Sequence, residues 1–222
     1  MQRIVGALML GLWAGACAPT VQSNVEIFHA LPSDYVGESI TILASDEKEA
    51  RSLEFKSYAE RLAGKLQEVG FRVVGETEGP RFVAFLGYAI GKGQQITRSY
   101  SIPNIGVTGY SSSQTYGTVH NYGGYGTYSG TTTYTPQYGV TGYSTGTTTE
   151  TVYPRAVVIH IYEVNWSDIE NSPQVYSLTI GSSGGCGILS QVIDEMLEAG
   201  FQGFPGESGS ARKARVDSNA NC

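Results

Sequence analysis

Apolar residues recur at helical spacing in two segments of the chain. In the first, which begins near Asp46 or Ser52, they stand three and four positions apart: Phe55, Tyr58, Ala59, Leu62, Leu66 and Val69. In the second, from about Gly187 to Ala199, the inward positions are Ile188, Leu189, Val192, Ile193, Met196 and Leu197. A Gly-Phe pair follows each segment, at Gly70-Phe71 and Gly200-Phe201. Because glycine adopts the left-handed turn that ends a helix, each pair is predicted to end one.

Runs of β-branched and aromatic residues predict about five strands: Val25–Phe28, Ser39–Leu43, Arg81–Ile90, Arg155–Val164 and Gln174–Ile180. The third and fourth runs are apolar on both alternating faces, which indicates central strands covered on each side. We therefore expect an α+β fold, a two-layer α/β sandwich with a mixed or antiparallel sheet of about five strands and two helices. This single domain would occupy residues 25–207, between a tether at 17–24 and a polar C-terminal tail at 208–222.

The segment 99–149, between two central strands, has an unusual composition. It contains no Asp, Glu, Lys or Arg, and ten of the fifteen tyrosines lie between Tyr100 and Tyr153. Gly106-Val-Thr-Gly-Tyr-Ser111 recurs as Gly139-Val-Thr-Gly-Tyr-Ser144. With too few aliphatic side chains for a core, the segment is predicted to be an insertion, either a mobile loop or a long ribbon extending the flanking strands.

The tyrosines of this insertion are the candidate recognition residues. Tyrosine offers stiff, amphipathic contact area, and Gly, Ser and Thr supply adaptable hydrogen bonding. Without charges, the surface would suit a neutral target such as a glycan or the edge of a sheet. The candidates are Tyr110, Tyr116, Tyr122, Tyr125, Tyr128, Tyr134, Tyr138 and Tyr143.

The N-terminal residues have the pattern of an export signal. Arg3 precedes an apolar run, Ile4–Ala16, whose helical length of about 20 Å is short of the roughly 30 Å hydrocarbon core of a membrane. The run leads through Ala14-Gly15-Ala16 into Cys17, which resembles the lipobox of bacterial lipoproteins. The resemblance implies that residues 1–16 are removed and that Cys17 is acylated, for example with palmitate, which anchors the chain firmly. Ala18 at the next position favours, by the same resemblance, the outer membrane and a periplasm-facing domain.

Charge and cysteine content narrow the classes of function. The formal net charge is −6, or −7 once Arg3 is removed, and no basic stripe is present, so we expect no nucleic-acid binding. The histidines stand singly and no cluster has metal-ligand spacing, so we expect neither a metal nor a cofactor. Cys186 and Cys222 remain in an oxidising compartment. Two alternatives stay open for them: a disulfide, or a small buried Cys186 with Cys222 on a loose terminus.

One motif offers hydrolytic chemistry. Gly181-Ser182-Ser183-Gly184-Gly185 fits G-x-S-x-G between a strand and a helix, where a hydrolase nucleophile sits. Ser183 would have to recruit His160 from a neighbouring strand and an acid such as Asp168. Cys186, at the start of a helix, is a second candidate nucleophile. We favour the alternative in which these glycines only let the chain turn tightly from strand to helix.

Several short motifs resemble, in their order, a family of small proteobacterial envelope lipoproteins known only as a domain of unknown function. They are Val25-x-x-Phe28-His29-x-Leu31-Pro32, Ser52-Leu53-Glu54-Phe55 with Tyr58-Ala59, the repeated Gly-Val-Thr-Gly-Tyr, Ser183-x-Gly185-Cys186 and Phe204-Pro205-Gly206-x-Ser208-Gly209. The resemblance covers nearly the whole mature chain. It implies a periplasm-facing α/β domain on a lipid anchor, and it supplies no catalytic residue.

The function expected from these observations is non-enzymatic. A lipid-anchored accessory protein would bind or support an envelope protein or a glycan. One alternative is a lipid-anchored serine or cysteine hydrolase that uses Ser183 or Cys186. Another is a self-assembling envelope protein whose Tyr- and Gly-rich insertion pairs edge to edge.

Overall fold

Eight strands and two α-helices form the part of the chain that the computed structural model describes, residues 19–218, 220 and 222. The predicted signal segment 1–16 and Cys17 lie outside these residues. In chain order the elements are β1 (Thr20–His29), β2 (Ser39–Ala44), α1 (Leu53–Glu68), β3 (Arg72–Val73), β4 (Phe82–Ile90), β5 (Gln94–Tyr122), β6 (Tyr125–Glu163), β7 (Gln174–Gly184), α2 (Ile193–Phe201) and β8 (Ser210–Asp217). Neither of these helices is long and apolar enough to cross a membrane.

All eight strands belong to one mixed sheet. Seven follow the order β3-β2-β4-β6-β7-β1-β8, and β5 pairs with β6. Strand β2 is parallel to β3 and β4, whereas the other pairs along this path are antiparallel. The expected two-layer sandwich with a sheet of about five strands is therefore wrong. The additional strands are the very short β3, β5 from the insertion and β8 from the predicted polar tail.

Strand β8 shows why the sequence pattern missed an edge strand. It pairs antiparallel with β1 over eight residues, from Ser210 to Asp217. Ala214 is its one buried residue and Val216 its one half-buried apolar residue, while Lys213 and Arg215 are exposed. A strand held mainly by backbone pairing with its neighbour needs few apolar side chains, so it leaves little periodic signal. Its charged side chains also oppose the addition of another strand at this edge.

Both helices pack on the same face of the sheet and bury its apolar core. On that face, Tyr88 of β4 meets Tyr58 of α1 at a ring-centroid distance of 4.8 Å. The pairing of β4 with β6 and of β6 with β7 places Ile180 on the same face as Tyr88. A Cβ on Gly200 of α2 would lie 2.5 Å from Ile180 Cδ1, so the helix approaches β7 closely only because this position is glycine.

The limits of α2 differ from the prediction. The helix begins at Ile193, after a short 3-10 turn at Leu189–Gln191, and continues through Gly200 to Phe201. Gly200 therefore serves packing against the sheet and does not end the helix. Gly70, in contrast, has a φ of +104° directly after α1, as the left-handed helix end requires.

Two ion pairs join the helices to each other. Arg61 Nη1 lies 2.7 Å from Asp194 Oδ2, and Lys65 Nζ lies 2.5 Å from Glu198 Oε2. Because both pairs use residues four positions apart on each helix, the charged sides of α1 and α2 face one another. Charged residues on the polar sides of α1 and α2 therefore connect the two helices.

A disulfide joins Cys186 to Cys222, the first of the two alternatives left open by the sequence. The two Cα atoms are 5.3 Å apart, and 36 positions separate the cysteines along the chain. Cys186 is nearly buried, at 9% exposure. The bond links the segment after β8 to the segment that follows β7, the strand that pairs with β1.

Candidate functional site

Residues 95–150 form a structural unit of their own, which we call the ribbon, separate from the rest of the chain. It consists of the paired parts of β5 and β6, which Gly123 and Gly124 connect. Both glycines have positive φ, +53° and +97°, as a two-residue hairpin turn with right-handed strand twist requires. At about 3.3 Å per residue, each strand of the ribbon is roughly 90 Å long. The insertion is therefore a long ribbon that extends the flanking strands and not a mobile loop.

The ribbon has no buried core. All of its side-chain-bearing residues are exposed, and five glycines are half-buried: Gly106, Gly109, Gly139, Gly142 and Gly146. Aromatic rings cover several glycines across the strands, as Tyr128 does for Gly117 and Tyr100 for Gly146. Contacts of an aromatic ring on a cross-strand glycine stabilise a sheet that has no buried side chains.

Side-chain hydrogen bonds also connect the two strands of the ribbon. The Thr115 and Thr132 hydroxyls lie 2.8 Å apart, and Asn104 Nδ2 donates to Ser144 Oγ at 2.9 Å. Among the described residues, the ribbon has one ion pair, at its base, where Arg98 Nε lies 3.0 Å from Glu150 Oε1. Neutral hydroxyl and amide contacts of this kind keep their strength at high salt, because no net charge is screened.

The internal repeat pairs with itself across the ribbon. A Cβ on Gly106 would lie 3.0 Å from Thr141 Cγ2, and one on Gly139 would lie 3.1 Å from Thr108 Cγ2. Thr108 Oγ1 donates to the Gln137 carbonyl, and Thr141 Oγ1 donates to the Asn104 carbonyl, both at 3.2 Å. Each copy of Gly-Val-Thr thus places its threonine on the glycine of the other copy, in an approximately two-fold arrangement.

The eight candidate recognition tyrosines are all on the ribbon, and all are exposed. Their exposure ranges from 56% for Tyr134 to 87% for Tyr125. Tyr110 and Tyr134 form a pair with ring centroids 5.1 Å apart, while the other tyrosines stand along both strands. The ribbon therefore presents a series of accessible rings, not one concave site.

The outer edges of the ribbon have few of the features that normally prevent strand addition. Within the described residues, β5 pairs only with β6, and the pairs that β4 and β7 make with β6 begin beyond residue 150. Natural edge strands are usually short or carry Lys, Glu or Pro. Here no charged residue occurs from 99 to 149, and Pro103 and Pro136 are the prolines of that segment. The backbone edges are thus open to another strand.

A second candidate site lies in the rest of the chain, on the sheet face opposite the helices. There a pocket of about 330 Å³ is lined mainly by apolar side chains: Leu43, Val83, Phe85, Tyr162, Val164, Trp166 and Ile169. Trp166 and Ile169 follow β6 and are 59% and 62% exposed. An apolar cavity of this size holds a small apolar group. Trp166 and Ile169, an aromatic and an aliphatic residue in an otherwise polar connection between β6 and β7, were the sequence signal of this surface.

The residues of the hydrolase alternative are not brought together. Ser183 pairs with Pro154, and His160 pairs with Ser177, six residues away along β7. That separation corresponds to about 20 Å, well beyond hydrogen-bond reach. Asp168 lies in a loop, where its carboxylate accepts from Asn171 Nδ2 at 2.7 Å. Cys186 is in the disulfide, so it offers no thiolate. Within the described residues, no group of three side chains has the arrangement of a metal site.

Comparison with known proteins gives little further information. No family model matches the chain, and no curated protein matches it. Among solved structures, a PDZ domain protein from Parabacteroides distasonis ATCC 8503 is similar, with 14% sequence identity and a TM-score of 0.34. The match covers 90% of this chain and 40% of that protein. At this level the likeness carries no argument about fold or function.

Proposed function

We propose that this chain is a non-enzymatic binding protein of the bacterial cell envelope and that the ribbon is its recognition element. The observation that carries the proposal is the ribbon itself, which has no charged residue from 99 to 149, open backbone edges and exposed tyrosines. Such a structure adds little to a core, because almost none of its side chains are buried. A structure of this size without a core is most useful as a contact surface.

The partner is a protein with an extended segment that adds to an edge of the ribbon. Strand addition derives its affinity from backbone hydrogen bonds and its specificity from alternate side chains. Tyrosine rings beside the edge supply contact area at a low cost in side-chain entropy. An uncharged edge accepts such a segment without paying for the desolvation of charges.

Lipidation of Cys17 would place this element at a membrane. The support is the apolar segment that leads through small residues into the cysteine. The ribbon would then act on the periplasmic side of the outer membrane. Mass spectrometry of the mature chain should find an acylated N-terminal Cys17. A Cys17→Ser variant should leave the membrane fraction, and an unmodified N-terminus would contradict the anchor.

Chemical crosslinking in cells tests the recognition role. Cells would produce either the parent chain or a variant in which a short Gly-Ser turn joins Arg98 to Glu150. The parent should give crosslinked products with a defined envelope protein, and the shortened variant should lose them. If the shortened variant folds and keeps every product, recognition lies outside the ribbon.

Self-assembly is a second candidate function, favoured by the reciprocal pairing of the repeat. Because Gly-Val-Thr pairs with a second copy of itself within one chain, it is also complementary to the same segment of another chain. Sedimentation velocity over a hundredfold concentration range should then show larger species for the parent chain. The variant without the ribbon should stay at one sedimentation coefficient.

A further inference from the structure

Arg155 is a buried arginine whose charge has no partner among the described residues. It lies on β6 and is only 5% exposed. Its Nη2 donates to Ser182 Oγ at a long distance of 3.4 Å, while Nε and Nη1 have no hydrogen-bond partner. No ion pair joins it to an acidic residue in the part of the chain described. An unpaired buried charge is unfavourable, and native structures seldom retain one without a compensating group.

Arg212 shows how the same fold satisfies an arginine elsewhere. It lies on β8, and its Nη2 donates to the Ala199 carbonyl at 2.7 Å and to the Gln202 carbonyl at 2.9 Å. These carbonyls stand at the C-terminal end of α2, where the helix dipole also favours a cation. Arg155 has no such set of acceptors.

Arg155 is one of the residues that line a pocket of about 350 Å³ beside the disulfide. Other lining residues are Thr20, Ser183, Gly184, Gly185 and Cys186. A Cβ on Gly184 would lie 2.8 Å from Arg155 Nη2, so glycine at this position leaves room for the guanidinium. Part of the Gly-Ser motif that resembles a nucleophile elbow therefore lines the same pocket as a buried arginine.

The electrostatics of the pocket indicate the charge of its ligand. Burial lowers the pKa of Arg155, and the negative charge of Glu195 opposes that effect. Glu195 accepts from Ser218 Oγ at 2.7 Å and does not reach the guanidinium. A ligand with one negative charge balances the single cation, whereas each further negative charge on the ligand would add repulsion from Glu195 without a second cation to offset it.

We propose that this pocket binds a singly charged oxyanion group through Arg155. Two sources supply such a group: a soluble monoanion, such as a carboxylate, or the phosphodiester of an anionic lipid headgroup. Arginine suits both, because its planar fork donates to two oxygens. Pro19 also lines the pocket and follows Cys17 by two residues, a chain length of about 7 Å. Binding of a lipid headgroup thus rests on the proposed lipid anchor, whereas binding of a soluble monoanion does not.

Thermal unfolding of the full chain carrying Cys17→Ser tests the proposal. Sodium acetate and sodium dimethyl phosphate would each be compared with sodium chloride at equal ionic strength. At a concentration of about 20 times its Kd, a bound monoanion should raise the melting temperature by about 5 °C. Sedimentation with vesicles of phosphatidylglycerol or of phosphatidylcholine tests the headgroup, and only the anionic vesicles should retain the protein.

Three variants make the result specific to Arg155. Arg155→Met should melt at the same or a higher temperature in chloride, since it removes an unpaired buried charge, and should respond to neither probe. Gly184→Ala displaces the guanidinium and should weaken the response at least tenfold in apparent affinity. Arg215→Met, a change at an exposed arginine on β8, should respond like the parent.

Each outcome decides the matter. A rise in melting temperature with acetate or dimethyl phosphate that is lost in Arg155→Met supports the site and indicates a soluble ligand. Vesicle binding alone, lost in the same variant, supports the site and names a headgroup. No response to any probe, or an equal response of parent and Arg155→Met, overturns the proposal. The proposed role of the ribbon is unaffected by any of these results, because the soluble probes do not involve the ribbon.

Discussion

Thr141 lies directly against Gly106 across the ribbon, with its Cγ2 3.0 Å from the position that a Cβ of the glycine would occupy. Thr108 and Gly139 repeat the relationship in the opposite direction at 3.1 Å. Both threonine hydroxyls donate to carbonyls of the facing strand at 3.2 Å. The internal repeat is thus a pairing element: each copy supplies the small residue that the other copy needs.

Alanine substitutions within the repeat test this pairing. Gly106→Ala or Gly139→Ala places a methyl group against the facing threonine, so the ribbon should open locally about tenfold more often. Gly109→Ala and Gly142→Ala are matched controls, because nothing lies within 4 Å of a Cβ at either position. Amide hydrogen exchange measures the effect. Equal exchange rates in both pairs of variants would contradict the pairing.

Removal of the ribbon should leave the remainder of the chain folded. The shortened variant, in which a Gly-Ser turn joins Arg98 to Glu150, loses almost no buried side chain. Its melting temperature should therefore stay within about 4 °C of the parent value, equivalent to roughly 1 kcal/mol. Calorimetry gives the answer, with one cooperative transition expected. A much lower melting temperature would show that the ribbon supports the core.

The sequence predicted that segment 99–149 is an insertion without a core. It did not decide whether this insertion is a mobile loop or a ribbon of two paired strands. The absence of charges and the small number of aliphatic residues indicated that no core could form there, and this fitted a mobile loop as well as a ribbon. Strand formation depends on contacts such as that of Thr108 with Gly139, two residues about 30 positions apart in the chain. Such a cross-strand register is not visible in local periodicity.

Loss of the disulfide should destabilise the chain markedly. For cysteines 36 positions apart, the chain-entropy treatment gives about 4 kcal/mol. Guanidinium unfolding of a Cys186→Ala, Cys222→Ala double variant should show a decrease of that order. The parent treated with dithiothreitol should agree with the variant. Equal unfolding midpoints with and without the bond would contradict this expectation.

Arg81 should make stability depend on pH in the acidic range. Its guanidinium donates to both oxygens of Asp34, at 3.1 and 3.2 Å, and this bonding lowers the pKa of Asp34 below 3.8. A carboxyl group with a lowered pKa contributes stability above its ordinary pKa, and this is lost as the pH falls through the lower, folded-state value. In Arg81→Met, the decrease in melting temperature below about pH 4 should be smaller than in the parent. Arg72→Met, at an exposed arginine on β3, should follow the parent curve.

Much of the remaining fold was predictable where side chains form periodic patterns. The positions of α1, β2, β4 and β7 agree with the sequence to within a few residues, because each has a regular apolar face. Partners in space could not be predicted. The pairing of Arg61 with Asp194, the burial of Arg155 and the exposed Trp166 beside β4 all depend on which elements the chain brings together.

Site-specific photocrosslinking in living cells tests most directly whether the ribbon is the recognition element. A photoreactive amino acid would replace Tyr116 or Tyr128 on the ribbon, which are 72% and 62% exposed. The control position is Leu53 at the start of α1, which is 82% exposed and lies outside the ribbon. The two ribbon positions should give the same discrete crosslinked product, and Leu53 should not give it. The same product from Leu53, or no product from either tyrosine position, would contradict the proposed role of the ribbon.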